Sequence, residues 1–437
     1  MNPYKHYKDS GIEWIGDIPE HWEVRRLKQV ADTNKKALLE TTDEDYSFRY
    51  VDISSVNADG NVDLNEQVRF AEAPSRARRI IQQNDTIIST VRTYLKAVAH
   101  FEEAVKDTIV STGFAVCTPK LDVINGRFLY YSLRSESCVE QVVAVSKGVS
   151  YPATTASELA AIYLAFPPPA EQAAIAEYLD RQTAEIDATL ARKEAMLKKL
   201  GDLRAARIHE VVTRGLHPNT PLKPSGVEWI GDIPEHWEVR RLKNCVRINP
   251  TKTQEDSKGD EDEVVFLPME RVKENGTYMD DQFRKYKEVS SGFTFMREGD
   301  VIVAKITPCF ENGKSAYLKA ISTGIAFGST EFHVLRPKEN MHGPFIHYLI
   351  RSSLFRDLGE ASMTGAAGQQ RVPTEFVANY AHALPPLAEQ TAIAEYLDAF
   401  TQKTDALRGQ LKAQMEALRQ YRQSLITEVV TGKLRVG

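Results

Sequence analysis

A segment of 19 residues occurs twice in the chain. Ser10–Lys28 reads SGIEWIGDIPEHWEVRRLK and Ser225–Lys243 reads SGVEWIGDIPEHWEVRRLK, identical at 18 of 19 positions with an offset of 215. A second pair, PPPAEQAAIAEYLD from Pro167 and PPLAEQTAIAEYLD from Pro385, agrees at 12 of 14 positions with an offset of 218. HEVVTRGL from His209 is echoed by TEVVTGKL from Thr427. A period of about half of the 437 residues is far longer than any solenoid repeat. It marks a tandem duplication of one multi-part unit.

Between the near-identical segments the two copies diverge. Residues 24–166 and 239–384 share only a skeleton: Tyr50-Val51 with Phe266-Leu267, Asp59-Gly60 with Asn275-Gly276, NDTIIS from Asn84 with GDVIVA from Gly299, and STGFAVCTPK from Ser111 with STEFHVLRPK from Ser329. Short β-branched or aromatic runs bounded by Gly, Asn and Asp read as strands and turns. The expected architecture is a mixed α/β fold used twice, as two similar globular domains. The expected organisation is a constant segment 1–23, a first globe 24–166, a long helix 167–216, the repeated constant segment 217–238, a second globe 239–384 and a long helix 385–437. Constant struts with divergent globes suggest two related but different recognition tasks.

Pro168-Pro169 and Pro385-Pro386 open the two helices, with Glu171 and Glu389 in the first turn, where a carboxylate suits the positive helix end. In the second helix a seam is read through Leu397, Phe400, Thr404, Leu407, Leu411, Gln414, Leu418, Tyr421 and Leu425. A sustained heptad stripe of this kind argues for a coiled coil. The first helix offers Leu179, Ile186, Leu190 and Leu197, with Lys193 interrupting the pattern. A helix of some 45 residues would span roughly 65 Å.

Composition narrows the function classes. Lys and Arg number 55 against 60 Asp and Glu, a net charge of −5, so the chain is no basic nucleic-acid coat. The globes themselves carry 17 basic against 18 acidic residues (24–166) and 20 against 19 (239–384). Four scattered cysteines without a Cys-x-x-Cys pair fit a reducing, cytoplasmic setting, and no apolar run is long enough to span a membrane. No two glycines are separated by one residue, which removes a dinucleotide fingerprint. Asn312-Gly313-Lys314-Ser315 mimics the end of a phosphate loop, but Pro308 holds the leading glycine position. His209-Glu210 lacks the second histidine of a zinc site. No catalytic residue and no metal ligand is expected.

The duplicated W-I-G-D-I-P-E-H-W-E-V-x-x-L-K block and the repeated P-P-x-A-E-Q-x-A-I-A-E-Y-L-D helix start resemble the specificity subunit of type I restriction–modification systems, over essentially the whole chain. The resemblance implies a non-catalytic DNA-binding protein. Its two target recognition domains would be joined by two antiparallel helices, each domain reading one half of a split site. It further implies two modification subunits that bind S-adenosylmethionine and methylate adenine, and two restriction subunits that use ATP and Mg2+. No cofactor is expected on this chain. Two divergent globes would explain an asymmetric bipartite site, and stiff helices a fixed spacer. A methylase–nuclease fusion would need the missing motifs, and a coiled-coil scaffold would not need two divergent globes.

Base-reading residues are expected in the divergent loops that follow matched strands. In the first globe these are Arg92, Thr93, Tyr94 and Lys96, and the loop with Lys147, Ser150 and Tyr151. In the second they are Lys305, Thr307, Asn312 and Lys314, and the loop Gln369, Gln370, Arg371. Arg, Lys, Asn and Gln are the side chains able to pair with guanine or adenine edges. Two basic clusters, Arg76/Arg78/Arg79 and Arg284/Lys285/Lys287, are read as counterparts; such clusters are usually solvated faces, and segregation onto one side would make them a phosphate-tracking patch that binds DNA. Trp14, Trp22, Trp229 and Trp237 lie in the constant block and read as packing anchors.

Overall fold

The computed structural model describes residues 3–57, 59–103, 106–148, 152–366 and 368–436. The chain forms two compact units, one made of residues 1–193 and 412–437, the other of residues 194–411. The first unit therefore contains both ends of the described chain.

The globe of the first unit is built on two four-stranded sheets. One has the order Gln67–Arg69, Ser47–Val51, Thr108–Ser111, Ala77–Ile80, with its two central strands parallel. The other has the order Ala31–Thr33, Phe114–Pro119, Asp85–Ser89, Val98–Phe101 and is antiparallel throughout. In the second unit the corresponding orders are Phe283–Lys285, Glu263–Leu267, Ile325–Gly328, Thr294–Arg297 and Val246–Ile248, Phe332–Pro337, Val301–Ala304, Ser315–Tyr317. Strand order and direction agree throughout. The faint skeleton shared by the sequences is thus one fold used twice.

Side-chain alternation explains why these strands stack. Val51, Val110, Ile87, Ala99, Phe114 and Val116 fill the space between the sheets of the first globe, while Phe48, Tyr50 and Ile109 point to the other face of their sheet. Val265, Ala326, Met296, Ile302, Phe332 and Val334 do the same in the second, with Val264, Phe266 and Phe327 on the opposite face. A buried carboxylate shows how the copies diverged. Asp85 accepts from Thr118 at 2.6 Å, whereas its equivalent Asp300 is held by both forks of Arg336 at 2.8 and 2.9 Å.

The long helices run from Pro169 to Arg214 (46 residues) and from Leu387 to Val430 (44 residues). The repeated motif at their start ties each to its globe. Trp22 donates its indole N–H to Glu171 at 3.0 Å and His21 lies 2.6 Å from the same carboxylate; Trp237 and His236 treat Glu389 alike at 3.0 and 2.7 Å. Buried Gln172 and Gln390 each accept a backbone N–H, from Asn125 and His342, and donate to the carbonyls of Pro167 and Pro385. Tyr131 and Tyr348 donate to Asp180 and Asp398 at 2.7 and 2.6 Å. The motif is duplicated because the joint it makes is duplicated.

Within each unit the helices pair antiparallel. Lys193 donates to Gln414 at 2.6 Å and Arg422 to Asp187 at 3.2 Å in the first; Arg204 donates to Asp405 at 2.9 Å and Arg207 to Tyr396 at 2.8 Å in the second. The buried stripe of the second helix passes through Leu397, Thr401, Thr404, Leu411, Met415, Arg422 and Leu425. This corrects the expected seam. Leu397, Leu411 and Leu425 are buried and Leu418 is half-buried, but Phe400 is only half-buried and Leu407 and Tyr421 are 42% and 54% exposed. The step after Leu397 is four residues, not three, so Phe400, Leu407 and Tyr421 fall one position, about 100°, off the contact face, and Gln414 reaches the other helix only from its edge through Lys193. Of the first helix, Leu179, Ile186 and Leu190 are buried and Leu197 is half-buried. Lys193 continues the spacing instead of interrupting it.

Trp22 and Trp237 are fully buried, as anchors should be; Trp14 and Trp229, at 43% and 42% exposure, are not. The indole ring is exposed at the same position of both copies.

Candidate nucleic-acid interface

In the first globe two sequence-distant loops meet. Val91 and Lys147 both bridge to Ala153, the Arg92 N–H donates to the Pro152 carbonyl at 2.8 Å, and Thr154 N–H donates to Thr90 O at 2.8 Å. The second globe repeats this backbone lattice. Ile306 and Thr364 bridge to Arg371, Thr307 N–H donates to Gln370 O at 3.0 Å, and Val372 N–H donates to Lys305 O at 2.8 Å. A third strand-end turn closes each: Thr90 N–H donates to Gly113 O at 2.8 Å and Lys305 N–H to Glu331 O at 2.9 Å. The loops chosen from sequence as base readers are therefore brought together in both globes.

The side chains carried on this common lattice are unrelated. Thr90, Arg92, Gly113, Pro152 and Ala153 in one globe stand where Lys305, Thr307, Glu331, Gln370 and Arg371 stand in the other. A fold that keeps its hydrogen bonds while exchanging every presented group is suited to reading different partners with one frame. Sequence variation at such surface loops changes recognition without cost to the core.

Individual candidates fall into distinct settings. Arg92 and Lys96 flank the short 3-10 turn Thr93–Leu95 in left-handed backbone, with φ of 51° and 52°, and both are exposed. Thr93 is buried, its hydroxyl 3.1 Å from that of Ser146, so it shapes the turn rather than facing outward. Only the backbone of Tyr94 is described, and Ser150 and Tyr151 lie outside the described residues. Lys147 is exposed and 3.3 Å from Glu158. Backbone and side-chain hydrogen bonds from Thr155, together with Lys147, bring the Glu158 carboxyl down to about 2. Lys305 is half-buried, Asn312 and Gln369 are exposed, and Gln370 is half-buried with its carbonyl taking both the N–H and the hydroxyl of Thr307. Lys314 donates to the carbonyl of Met269 at 3.2 Å. Arg371 forks onto Glu331 at 2.9–3.2 Å, and that guanidinium holds the Glu331 carboxyl below its ordinary range.

The two basic clusters are not counterparts. Arg78 and Arg79 lie on the edge strand Ala77–Ile80, whose structural equivalent is Thr294–Arg297; Arg284 and Lys285 lie on Phe283–Lys285, the edge strand at the opposite side of the equivalent sheet. Their charges are also engaged locally. Arg76 donates to Asp52 at 2.7 Å, Arg78 stacks on Phe70, Arg284 stacks on Phe266 at 3.9 Å, and Lys285 and Lys287 share Glu261. Arg79 is half-buried.

Two features escaped the sequence reading. Leu95, 42% exposed at the tip between Arg92 and Lys96, adds an apolar group beside the cations. Such a group suits a thymine methyl. Glu331 is the acidic clamp on Arg371; its place in STEFHVLRPK opposite Gly113 was the available signal.

Comparison with known proteins follows the same lines. A family described as the type I restriction modification DNA specificity domain matches residues 19–199 and again 234–417. The specificity subunits of the type I restriction enzymes EcoEI and EcoAI of Escherichia coli are 36% and 35% identical over 198 residues, 45% of this chain. Those matches span 33% of each relative's length. The putative MjaX specificity subunit of Methanocaldococcus jannaschii is 22% identical over 444 residues, 98% of both chains. Among solved structures, a chain from work on complex assembly and conformational transition of the type I R-M system superposes with a TM-score of 0.71 at 23% identity, covering 95% of this chain and 99% of that one. The HsdS subunit from Thermoanaerobacter tengcongensis gives a TM-score of 0.52 at 23% identity over 95% and 98% of the two chains. These superpositions show a shared fold.

Proposed function

This chain belongs to the type I restriction modification DNA specificity domain family, and we propose that it reads a bipartite DNA site, one half-site per globe, for a type I restriction–modification enzyme. Residues 24–166 and 239–384 act as the two target recognition domains, and the long helices fix the unread spacer. In this reading the chain is not itself an enzyme and binds no cofactor. Two modification subunits bring S-adenosylmethionine for adenine methylation, and two restriction subunits bring ATP and Mg2+ for translocation and cleavage, in the cytoplasm.

The observation that carries the reading is the shared backbone lattice with unrelated side chains. Arg92, Lys96 and Lys147 would meet one half-site; Lys305, Asn312, Gln369 and Arg371 would meet the other. Phosphate contacts position a protein on DNA and base-edge contacts specify the sequence, and these loops offer both.

Exchanging residues 239–384 for the matching domain of a relative tests it. Methylation mapping should show one half-site changed and the other kept. A change in both half-sites would defeat the assignment. The purified chain alone should transfer no methyl group and should direct transfer once its modification subunit is added.

A further inference from the structure

The second unit holds a cavity of about 190 Å³ between its long helices and its globe, with Gly313 of the Asn312–Lys314 loop on the lining. Four guanidinium groups line it: Arg204 on the first long helix, Arg408 on the second, and Arg351 and Arg356 on the helices Gly343–Arg351 and Ser353–Ala361 of the globe. Arg204 is paired with Asp405 at 2.9 Å, and Glu274 is the carboxylate on the lining. Four fixed positive charges thus face two negative ones. Arginine does not shed its proton under ordinary conditions, so the excess charge calls for a counter-anion.

Three further observations point to a ligand. The buried Nη2 of Arg204 and Nε of Arg356 have no hydrogen-bond partner, although buried donors are normally satisfied. Burial, then the neighbouring Arg204 and Arg356, bring the Arg351 guanidinium down to about 10. Two glycines leave the arginines their space. A Cβ on Gly201 would lie 3.3 Å from Nη1 of Arg408, and one on Gly313 would lie 3.3 Å from Nη1 of Arg356.

The first unit shows what the same joint looks like without this feature. Arg422 and Arg134 occupy the positions of Arg204 and Arg351. Buried Leu190 and Val139 occupy those of Arg408 and Arg356. Helix and globe are therefore joined in the first unit with apolar side chains at these two positions.

We propose that this cavity binds a phosphate group on the guanidinium forks of Arg204, Arg351, Arg356 and Arg408. Planar forks match the geometry of phosphate oxygens. The cavity has room for one tetrahedral oxyanion with solvent. The phosphate could be free or the terminal group of a nucleotide.

The test uses the full-length chain, titrated calorimetrically with inorganic phosphate at constant ionic strength. Saturable binding with a Kd below about 1 mM is expected. The double variant R356V/R408L, which installs the residues of the first unit, should weaken it at least about tenfold while circular dichroism stays unchanged. Should that variant misfold, Arg356→Gln, which removes the charge and keeps a donor, should weaken binding at least about threefold. Adenosine monophosphate separates the sources. Affinity equal to phosphate marks a site for the anion alone, and affinity at least about tenfold tighter marks a nucleotide site. No saturation up to about 20 mM phosphate, or a folded variant that binds as tightly as the parent, overturns the proposal.

Discussion

Arg92 and Thr307 stand on the same rung of the two globes. One donates its backbone N–H to Pro152 at 2.8 Å, the other to Gln370 at 3.0 Å. Around them the bridging hydrogen bonds are preserved, while Arg92, Pro152 and Ala153 give way to Thr307, Gln370 and Arg371. Specificity is thereby separated from stability: the rung is made by main chain, and the message is carried by what projects from it.

That separation predicts the outcome of Arg371→Ala. Alanine already occupies the equivalent rung as Ala153, so the fold should be unaffected. A lost bidentate base contact should cost about 1–3 kcal/mol of discrimination. Methylation mapping should show one position of one half-site relaxed and the other half-site intact. A uniform loss of affinity with a shallower salt slope would assign Arg371 to a phosphate instead.

The joints at the helix starts should fail equivalently in both units. Burial would raise the Glu171 carboxyl, but His21, Tyr4 and Trp22 outweigh it and hold the group below its ordinary value. Glu171→Ala and Glu389→Ala should each destabilise their unit by about 1–3 kcal/mol, the cost of leaving a buried indole N–H unpaired. Chemical denaturation followed by tryptophan fluorescence measures this, because Trp22 and Trp237 are the residues released. Two variants with wild-type midpoints would show that the duplicated motif does not act as a structural joint.

What the sequence made legible was whatever the duplication repeated or visibly varied. The reuse of one mixed α/β fold, several of its strands, the two helices and the loops of Arg92 and Arg371 followed from comparing the copies. The seam followed only in part: Leu397, Thr404, Leu411 and Leu425 lie on it, but its polar members Thr401 and Arg422 carry no hydropathy signal, and Leu407 and Tyr421 supplied a false one. The mispairing of Arg76 with Arg284 arose from aligning charge rather than strand order. Trp14 and Trp22 look alike as letters, yet only one has its indole enclosed by the helix end; burial is set by long-range packing that a local pattern does not encode.

The buried pair Arg336–Asp300 offers a sharper test of how the copies diverged. At the equivalent position Thr118 serves Asp85, and burial raises the Asp85 carboxyl above its ordinary value. Arg336→Thr should cost about 3–5 kcal/mol at pH 7, since it leaves the buried Asp300 carboxylate without a charge partner, with only the Arg297 N–H and the new hydroxyl as donors. Adding Asp300→Asn should recover much of that loss. Urea unfolding of the two variants checks it, and an innocuous single variant would mean that the pair is not desolvated.

Buried histidines set the acid limit of the fold. Burial brings His100 and His382 down to about 4, and His347, enclosed beside Arg351, well below its ordinary value. Arg127 presses His100 the same way, with Asp180 opposing. Their unfolded pKa is near 6.5, so between about pH 6.5 and 4 the unfolded chain binds more protons than the folded one. Stability therefore falls as pH drops through that window, by up to about 1.4 kcal/mol per pH unit for each histidine. Asp85, raised rather than lowered, works in the opposite direction, since its folded form takes up a proton first. Glu158 and Glu171, both lowered, withdraw their contributions only below about pH 4.5, so the histidine window is read above that value. Urea midpoints at pH 7.5, 6.5, 5.5 and 5.0 should decline steadily from pH 6.5 downward. His382→Phe should flatten the decline by as much as one proton's slope in the second unit while leaving the first unit's response unchanged. A midpoint that is constant from pH 7.5 to 5.0, or a His382→Phe variant with the parent's slope, would show that these imidazoles stay charged or reach solvent in the folded chain.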